Sequence, residues 1–176
     1  CYLSLCFAKT HIDSTGQYYF NSPRYLARLP YFAKKKKLRI LKENMKNWKL
    51  WKKIRKFENK IAKWFGSPYA VAVDCCTHAI ELCLRYKQID KFTVPPKTYP
   101  SVPNLAKKIG IEFEWKEEDW KDYYYLGGTN IIDAAVLWRE NSYISNTLMC
   151  LSFQYQKHLS LGRGGMILTD DEEAKD

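Results

Sequence analysis

The chain has 176 residues, 46% of them apolar and 27% charged, and carries a net charge of +10. That length allows one domain with a sizeable core rather than two, and no segment approaches the roughly 18 uninterrupted apolar residues of a membrane span. The six cysteines, Cys1, Cys6, Cys75, Cys76, Cys83 and Cys150, contain no C-x-x-C pair, which argues against a zinc or redox motif and for reduced thiols in a soluble, cytoplasmic protein without a metal.

Residues 1–33 give no clear structure. "CYLSLCFAKTH" is apolar in part but has neither the basic start nor the cleavage site of an export signal. The chain starts at a cysteine and its last residues, "TDDEEAKD", open a helix, so it reads as a fragment. Residues 34–66 form a basic amphipathic helix. Residues 34–64 hold 14 Lys or Arg against 2 Glu, a local +12, which leaves the other 145 residues at −2. Leu50, Ile54, Phe57, Ile61, Trp64 and Phe65 recur at three- and four-residue steps, and Gly66-Ser67-Pro68 ends the helix. The plain reading is a solvated basic face opposite a core stripe; binding of phosphate groups, including nucleic acid, is possible but not favoured.

From residue 67 the pattern changes. Short β-branched or aromatic runs alternate with helical ones: "YAVAVD" as a strand, 77–88 as a helix with Ile80, Leu82, Cys83 and Leu84 along it, and "FTVPP" as a strand. A helix over 101–110 follows with Gly110 as its left-handed cap, then "IEFEW", and then "TNIIDAA", "MCLSF" and "GGMILTD" as strands. This alternation predicts an α/β fold, a mostly parallel sheet flanked by helices, with ligands beyond the carboxyl ends of the strands.

Three stretches at those strand ends carry chemistry. In "VDCCTHAIEL" a small-residue turn enters a helix whose free N–H groups favour an anion, with Thr77 as the expected cap and hydroxyl donor; simple capping is the plainer reading, and His78 is by type a first-turn surface residue. Asp133 ends an apolar strand, where a carboxylate is costly unless paired, so it is either a helix cap after the strand or the partner of a cation. Lys157 follows "MCLSF" by a short turn, and a partly desolvated lysine can act as a neutral nucleophile toward a carbonyl. An amine, a carboxylate and an anion cradle are what pyridoxal phosphate requires.

The segments "KWFGSPYAVAV", "DCCTHA", "VPPKTY", "IIDAA" and "LSFQYQKHLSLGRGGMILTDDEE", in this order, resemble the DegT/StrS-type sugar aminotransferases, pyridoxal phosphate enzymes of fold type I, from about Phe57 to Ala174. The resemblance implies part of the family's large domain over 67–176, truncated before the small C-terminal domain. It makes Lys157 the Schiff-base lysine and Asp133 the partner of the ring nitrogen. Thr77, the His78 N–H and Ser152 become phosphate ligands, and Tyr99 takes the place of an aromatic residue stacked on the cofactor. It further implies a nucleotide-linked keto sugar and an amino acid, glutamate by expectation, as substrates, and a homodimer. The chain departs from the family at Val136, where Gln or His normally reaches the cofactor's phenolic oxygen, and at Cys75-Cys76, where Ser-Gly precedes the threonine. It departs again in the short "KEEDWKDYYYLGG" link, where the family inserts further strands and helices. Two alternatives stay open: a cofactor-dependent sugar dehydratase, in which histidine replaces the lysine and to which the adjacent His158 points, and a non-catalytic descendant or basic binding module.

Overall fold

A computed structural model of the chain describes residues 31–175, with side chains from residue 48 onward. The reading of residues 1–30 therefore lies outside the described residues. The chain divides into two compact units between Leu50 and Trp51. Of the first, the described part is the leading stretch of helix α1 (Tyr31–Phe65), which begins three residues before the expected start. The remainder of this section concerns the second unit.

The elements follow one another as β1 (Tyr69–Val73), α2 (Cys76–Tyr86), β2 (Lys91–Val94), α3 (Ser101–Ile109), β3 (Glu112–Trp115), β4 (Tyr124–Tyr125), β5 (Ile131–Asp133), β6 (Leu148–Ser152), β7 (Gly165–Thr169) and α4 (Glu172–Lys175). The expected alternation is present. Gly110 closes α3 in the left-handed conformation, with φ 73°, a geometry that glycine adopts without strain.

Five strands pair in the order β1-β7-β6-β5-β4, and β2 pairs with β3. Reciprocal backbone hydrogen bonds between Thr93 and Gly127, 3.1 and 2.8 Å long, join the two sets at β2 and the end of β4. β5 and β6 are parallel, as are β2 and β3, whereas β4 and β7 run against their neighbours. The sheet is thus mixed rather than simply parallel. Connection length accounts for part of this: β4 returns to β5 through residues 126–130 alone, which permits only an antiparallel pairing, whereas the parallel pair β5 and β6 is joined by the long helix-free crossover 134–147.

Side-chain alternation along the central strands sorts the core into two layers. Ile131, Leu148, Cys150 and Ile167 face α2 and α3, where Ala79, Ile80, Cys83, Leu84, Val102 and Leu105 are buried. Ile132, Met149, Leu151, Met166 and Leu168 face the other way, onto Ile61, Ala62 and Phe65 of α1. A helix, sheet, helix sandwich results, and period-two alternation along a strand is what builds it. Three expected core positions are displaced: Leu82, Leu50 and Trp64 are exposed, while Phe57 packs edge-on against Phe153 at 5.4 Å. Of the α1 stripe, Ile61 and Phe65 are fully buried and Ile54 and Phe57 half-buried.

Glu58, on the same helix, is buried although charged. Its Oε1 accepts a hydrogen bond from the Ala72 N–H at 2.9 Å, on the side of β1 that no strand pairs. Arg55 stands 3.7 Å from Oε2, so the carboxylate has both a donor and a cation near it, as a buried charge requires.

Candidate functional site

The carboxyl ends of β1, β2, β5 and β6 meet along one edge of the sheet. Asp133 is the last residue of β5, two positions beyond Ile131 and so on the α2 side. It is 7% exposed. Its Oδ1 accepts from the Ala135 N–H at 3.0 Å, with the Cys76 thiol 3.9 Å away, and its Oδ2 accepts from the Tyr124 hydroxyl at 2.8 Å. Burial pushes the Asp133 carboxyl above the ordinary aspartate value, and the Tyr124 and Ala135 hydrogen bonds and the nearby Lys157 charge pull it partly back. The helix-cap reading of Asp133 is corrected: β5 runs into a turn rather than a helix, and Asp133 caps that turn at the Ala135 N–H, while remaining a buried carboxylate that feels the Lys157 charge.

The start of α2 differs from expectation. Cys75, not Thr77, is the N-cap, in an extended conformation, and its Sγ accepts from the His78 N–H at 3.4 Å. The chain turns into the helix one residue earlier than read, so Thr77 already lies inside the first turn, and its hydroxyl pairs with the Ser101 hydroxyl at 2.8 Å. That bond ties the starts of α2 and α3 together. Cys76, the first helical residue, is buried, and its thiol donates toward the Cys150 carbonyl at 3.5 Å. Burial and the Asp133 charge push that thiol well above its usual range, so it is an inert packing group rather than a nucleophile. His78 Nδ1 lies 2.6 Å from Asp74 Oδ1, and Arg163 reaches Asp74 Oδ2 at 2.8 Å. Burial pulls the Asp74 carboxyl upward more than any one partner pulls it down, but His78 and Arg163 together hold it below its ordinary value.

Ser152 ends β6 and pairs with Gly165. A Cβ on Gly165 would stand 2.5 Å from the Cys75 carbonyl carbon and 2.7 Å from the Cys76 nitrogen. Only glycine lets β7 approach the helix start this closely, and Ser152 is brought beside it as a result. The loop 153–164 is closed by the Phe153 N–H to Gly164 carbonyl bond at 2.9 Å and carries Lys157, half-buried, whose N–H donates to the Gln154 carbonyl at 2.9 Å. The Lys157 side chain forms no hydrogen bond or ion pair among the described residues, but its charge is felt at both Asp133 and Cys76.

The fold therefore brings Thr77, His78, Asp133, Ser152 and Lys157 to one edge. Tyr99, just before α3, is 70% exposed and touches none of them, and Val136 is 37% exposed. Sequence reasoning missed Tyr124, because β4 is only two residues long and sits in a Tyr-rich link that has no strand-length periodicity. The signal available was its distance from Asp133, nine residues across a Gly-Gly turn.

A groove of about 510 Å³ opens at the opposite edge, lined by Lys87, Asn130, Asn146, Asp170 and Asp171 among others. Its charges are already matched, with Lys87 on Asp171 at 3.1 Å and Asp170 on the Asn146 N–H at 2.7 Å. It lies at the amino ends of β5 and β6 and holds none of the candidate residues, so the chemistry is assigned to the carboxyl edge.

Residues 32–121 match the DegT/DnrJ/EryC1/StrS aminotransferase family, as that family is described. The chain belongs to this family. The match stops before β5, which carries Asp133, and before the 153–164 loop, which carries Lys157. The spore coat polysaccharide biosynthesis protein SpsC of Bacillus subtilis (strain 168) is 25% identical over 169 residues, covering 70% of this chain and 43% of that protein. Among solved structures, an aminotransferase from Psychrobacter cryohalolentis superimposes with TM-score 0.55 at 19% identity, over 69% of this chain and 42% of its own. DesI, solved with its TDP-sugar product, gives 0.57 at 17% identity, over 69% and 42%. GDP-4-keto-6-deoxymannose-3-dehydratase (ColD) gives 0.54 at 18%, over 69% and 45%. These likenesses establish the fold, that of the type I pyridoxal phosphate aminotransferases. The chain spans less than half the length of each of these relatives of the DegT family.

Proposed function

We propose that this edge is the cofactor half of a pyridoxal phosphate-dependent sugar aminotransferase. The observation that carries the reading is Asp133, a buried carboxylate at a strand end whose burial is costly without a cationic partner. The donor set fits the cofactor. Asp133 suits a protonated ring nitrogen, Lys157 offers a primary amine, and the α2 N-terminus with the Thr77 and Ser152 hydroxyls suits a phosphate. Bound there, pyridoxal phosphate supplies an aldehyde that joins to amines and a ring that accepts electrons.

The residues divide the work. Asp133 would hold the ring nitrogen's proton by charge and hydrogen bonding. The Lys157 Nζ would offer the amine for the aldehyde and a base to take a proton from the substrate carbon and return it. Thr77, the His78 N–H and Ser152 would hold the phosphate, and Tyr99 would offer an aromatic face. DesI, with its TDP-sugar product, and SpsC, named for polysaccharide biosynthesis, support a nucleotide-linked sugar as acceptor; a keto group on that sugar and an amino acid donor, glutamate by preference, are carried by the family resemblance alone. The family pattern supports a homodimer that completes the site.

The dehydratase reading has one relative in its favour, ColD. Against it, Lys157 is half-buried and felt at Asp133 while His158 is exposed, which favours the lysine over the histidine. The test is to mix the chain with pyridoxal phosphate, reduce with borohydride and locate the pyridoxyl group by peptide mass spectrometry. Labelling confined to Lys157 and lost in Lys157→Ala is the expected result. Equal labelling of the variant, spread over surface lysines, overturns the assignment and favours the binding-module reading.

A further inference from the structure

The link between β3 and β5 is short, and β4 within it pairs Tyr124 directly with Asp133 across the strands. Directly opposed residues on paired strands share a face, so the phenol is delivered onto the carboxylate. Tyr124 is 3% exposed, its ring packs 5.0 Å from that of Trp120, and its hydroxyl touches both Asp133 Oδ2, at 2.8 Å, and the Thr98 hydroxyl. A chain of hydrogen bonds therefore runs from half-buried Thr98, just beyond β2, through Tyr124 to the carboxylate at the end of β5. We propose that Tyr124, braced by Thr98, is the positioning residue of the site: it fixes the rotamer of Asp133 and keeps that carboxylate ionised at neutral pH.

Asp133 is removed from water, and an ionised carboxylate survives there only if donors replace the lost solvent. Ala135 supplies one, at Oδ1. The other charged or titratable groups facing Asp133 are Cys76 from α2, Cys150 from β6 and Lys157 from the 153–164 loop. The Cys76 thiol donates weakly to Oδ1 at 3.9 Å, Lys157 acts on Asp133 through its field, and the Asp133 charge is in turn felt at Cys150. Oδ2 has Tyr124 as its hydrogen-bond donor among the described residues. Burial and the Asp133 charge together push the phenol above its ordinary range, so it stays protonated and remains a donor. The short link thus supplies the donor to the second oxygen of the buried carboxylate.

The role of the carboxylate in holding a ring nitrogen rests on the proposed function; the effect of Tyr124 on Asp133 does not. The experiment is an infrared titration of the carboxyl C=O band in the cofactor-free chain, assigned to Asp133 by its loss in Asp133→Asn. Tyr124→Phe keeps the ring against Trp120 and removes the donor. Its Asp133 midpoint is expected to rise by about one pH unit, since a hydrogen bond to a charged group contributes on that order. An unchanged midpoint in a folded Tyr124→Phe overturns the proposal. If that variant fails to fold, Thr98→Val decides, with a smaller rise expected and no rise counting against it. In parallel, pyridoxal phosphate affinity is measured against pH. Its acid limb should move upward with the infrared midpoint, because a neutral carboxyl no longer attracts a ring cation. A wild-type chain that binds no pyridoxal phosphate removes the proposed function, while the infrared result still decides the role of Tyr124.

Discussion

Asp133 sets a conflict between stability and chemistry. Its folded-state pKa is raised above the ordinary value of 3.8, so the folded chain holds that proton more tightly than the unfolded chain does. Stability from this group is therefore greatest below about pH 4 and falls as pH rises through the raised pKa. Asp133→Asn cannot ionise, so its melting temperature should exceed that of the parent by a margin that grows over that window and then levels off. A margin constant with pH would mean that Asp133 does not titrate there. The same variant should lose transamination, since an amide cannot hold a ring proton by charge. Val136 is the second residue to test. If the cofactor's phenolic oxygen lacks a partner, Val136→Gln should tighten pyridoxal phosphate binding about tenfold, the lower end of what an unpaired oxygen costs, because the position is 37% exposed. Fluorescence titration of both proteins checks this. No change would indicate that another group, such as Gln154, already serves that oxygen. At this scale much was legible in the sequence: Lys157, Asp133, Ser152 and the α2 start converge as their strand-end positions implied. Thr77 as a cap was not legible, because which of three successive small residues ends the turn depends on how closely β7 approaches.

Among the elements, that approach is set by Gly165. Its backbone is not in the left-handed region, so alanine would be conformationally acceptable, and the only obstacle is the Cys75-Cys76 backbone. Gly165→Ala is expected to cost about 1–3 kcal/mol, the range for overpacking against a rigid neighbour, and to weaken anion binding at the α2 start by pushing the helix from Ser152. Chemical denaturation and phosphate-analogue titration would detect the two effects; a variant as stable as the parent would mean that α2 shifts freely. The regular strands and helices were readable because each alternates with a period matched to its burial, as in β6, where Leu148 and Cys150 face one layer and Met149 and Leu151 the other. Strand β4 was not. Two residues carry no period, and its existence depends on pairing with β5, which no local pattern records.

At the scale of the molecule, charge and chemistry are segregated. The +12 of residues 34–64 belongs to one helix and the candidate site to the sheet edge. If the basic face is merely solvated, DNA or RNA binding should be non-specific and should weaken by several powers of ten between about 50 and 200 mM salt, as followed by fluorescence anisotropy. Sequence-selective binding that survives this change would favour the binding-module reading. The direction of the mixed sheet was partly legible, since the strand and helix alternation is real, but the reversal between β4 and β5 follows from a connection length that was read as an ordinary loop. The sheet has two margins, guarded differently. On β3, Glu112 and Glu114 put charge along the strand. On β1 the strand is "YAVAV", uncharged and β-prone, and its open Ala72 N–H is occupied by Glu58 from α1. Helix α1 is therefore more than a core lid: it keeps a sticky strand from finding a copy of itself. Removing residues up to 66, or replacing Glu58 with alanine under mildly destabilising conditions, should convert a dispersed protein into one that seeds fibrillar assemblies through β1, an outcome that thioflavin fluorescence and sedimentation would register.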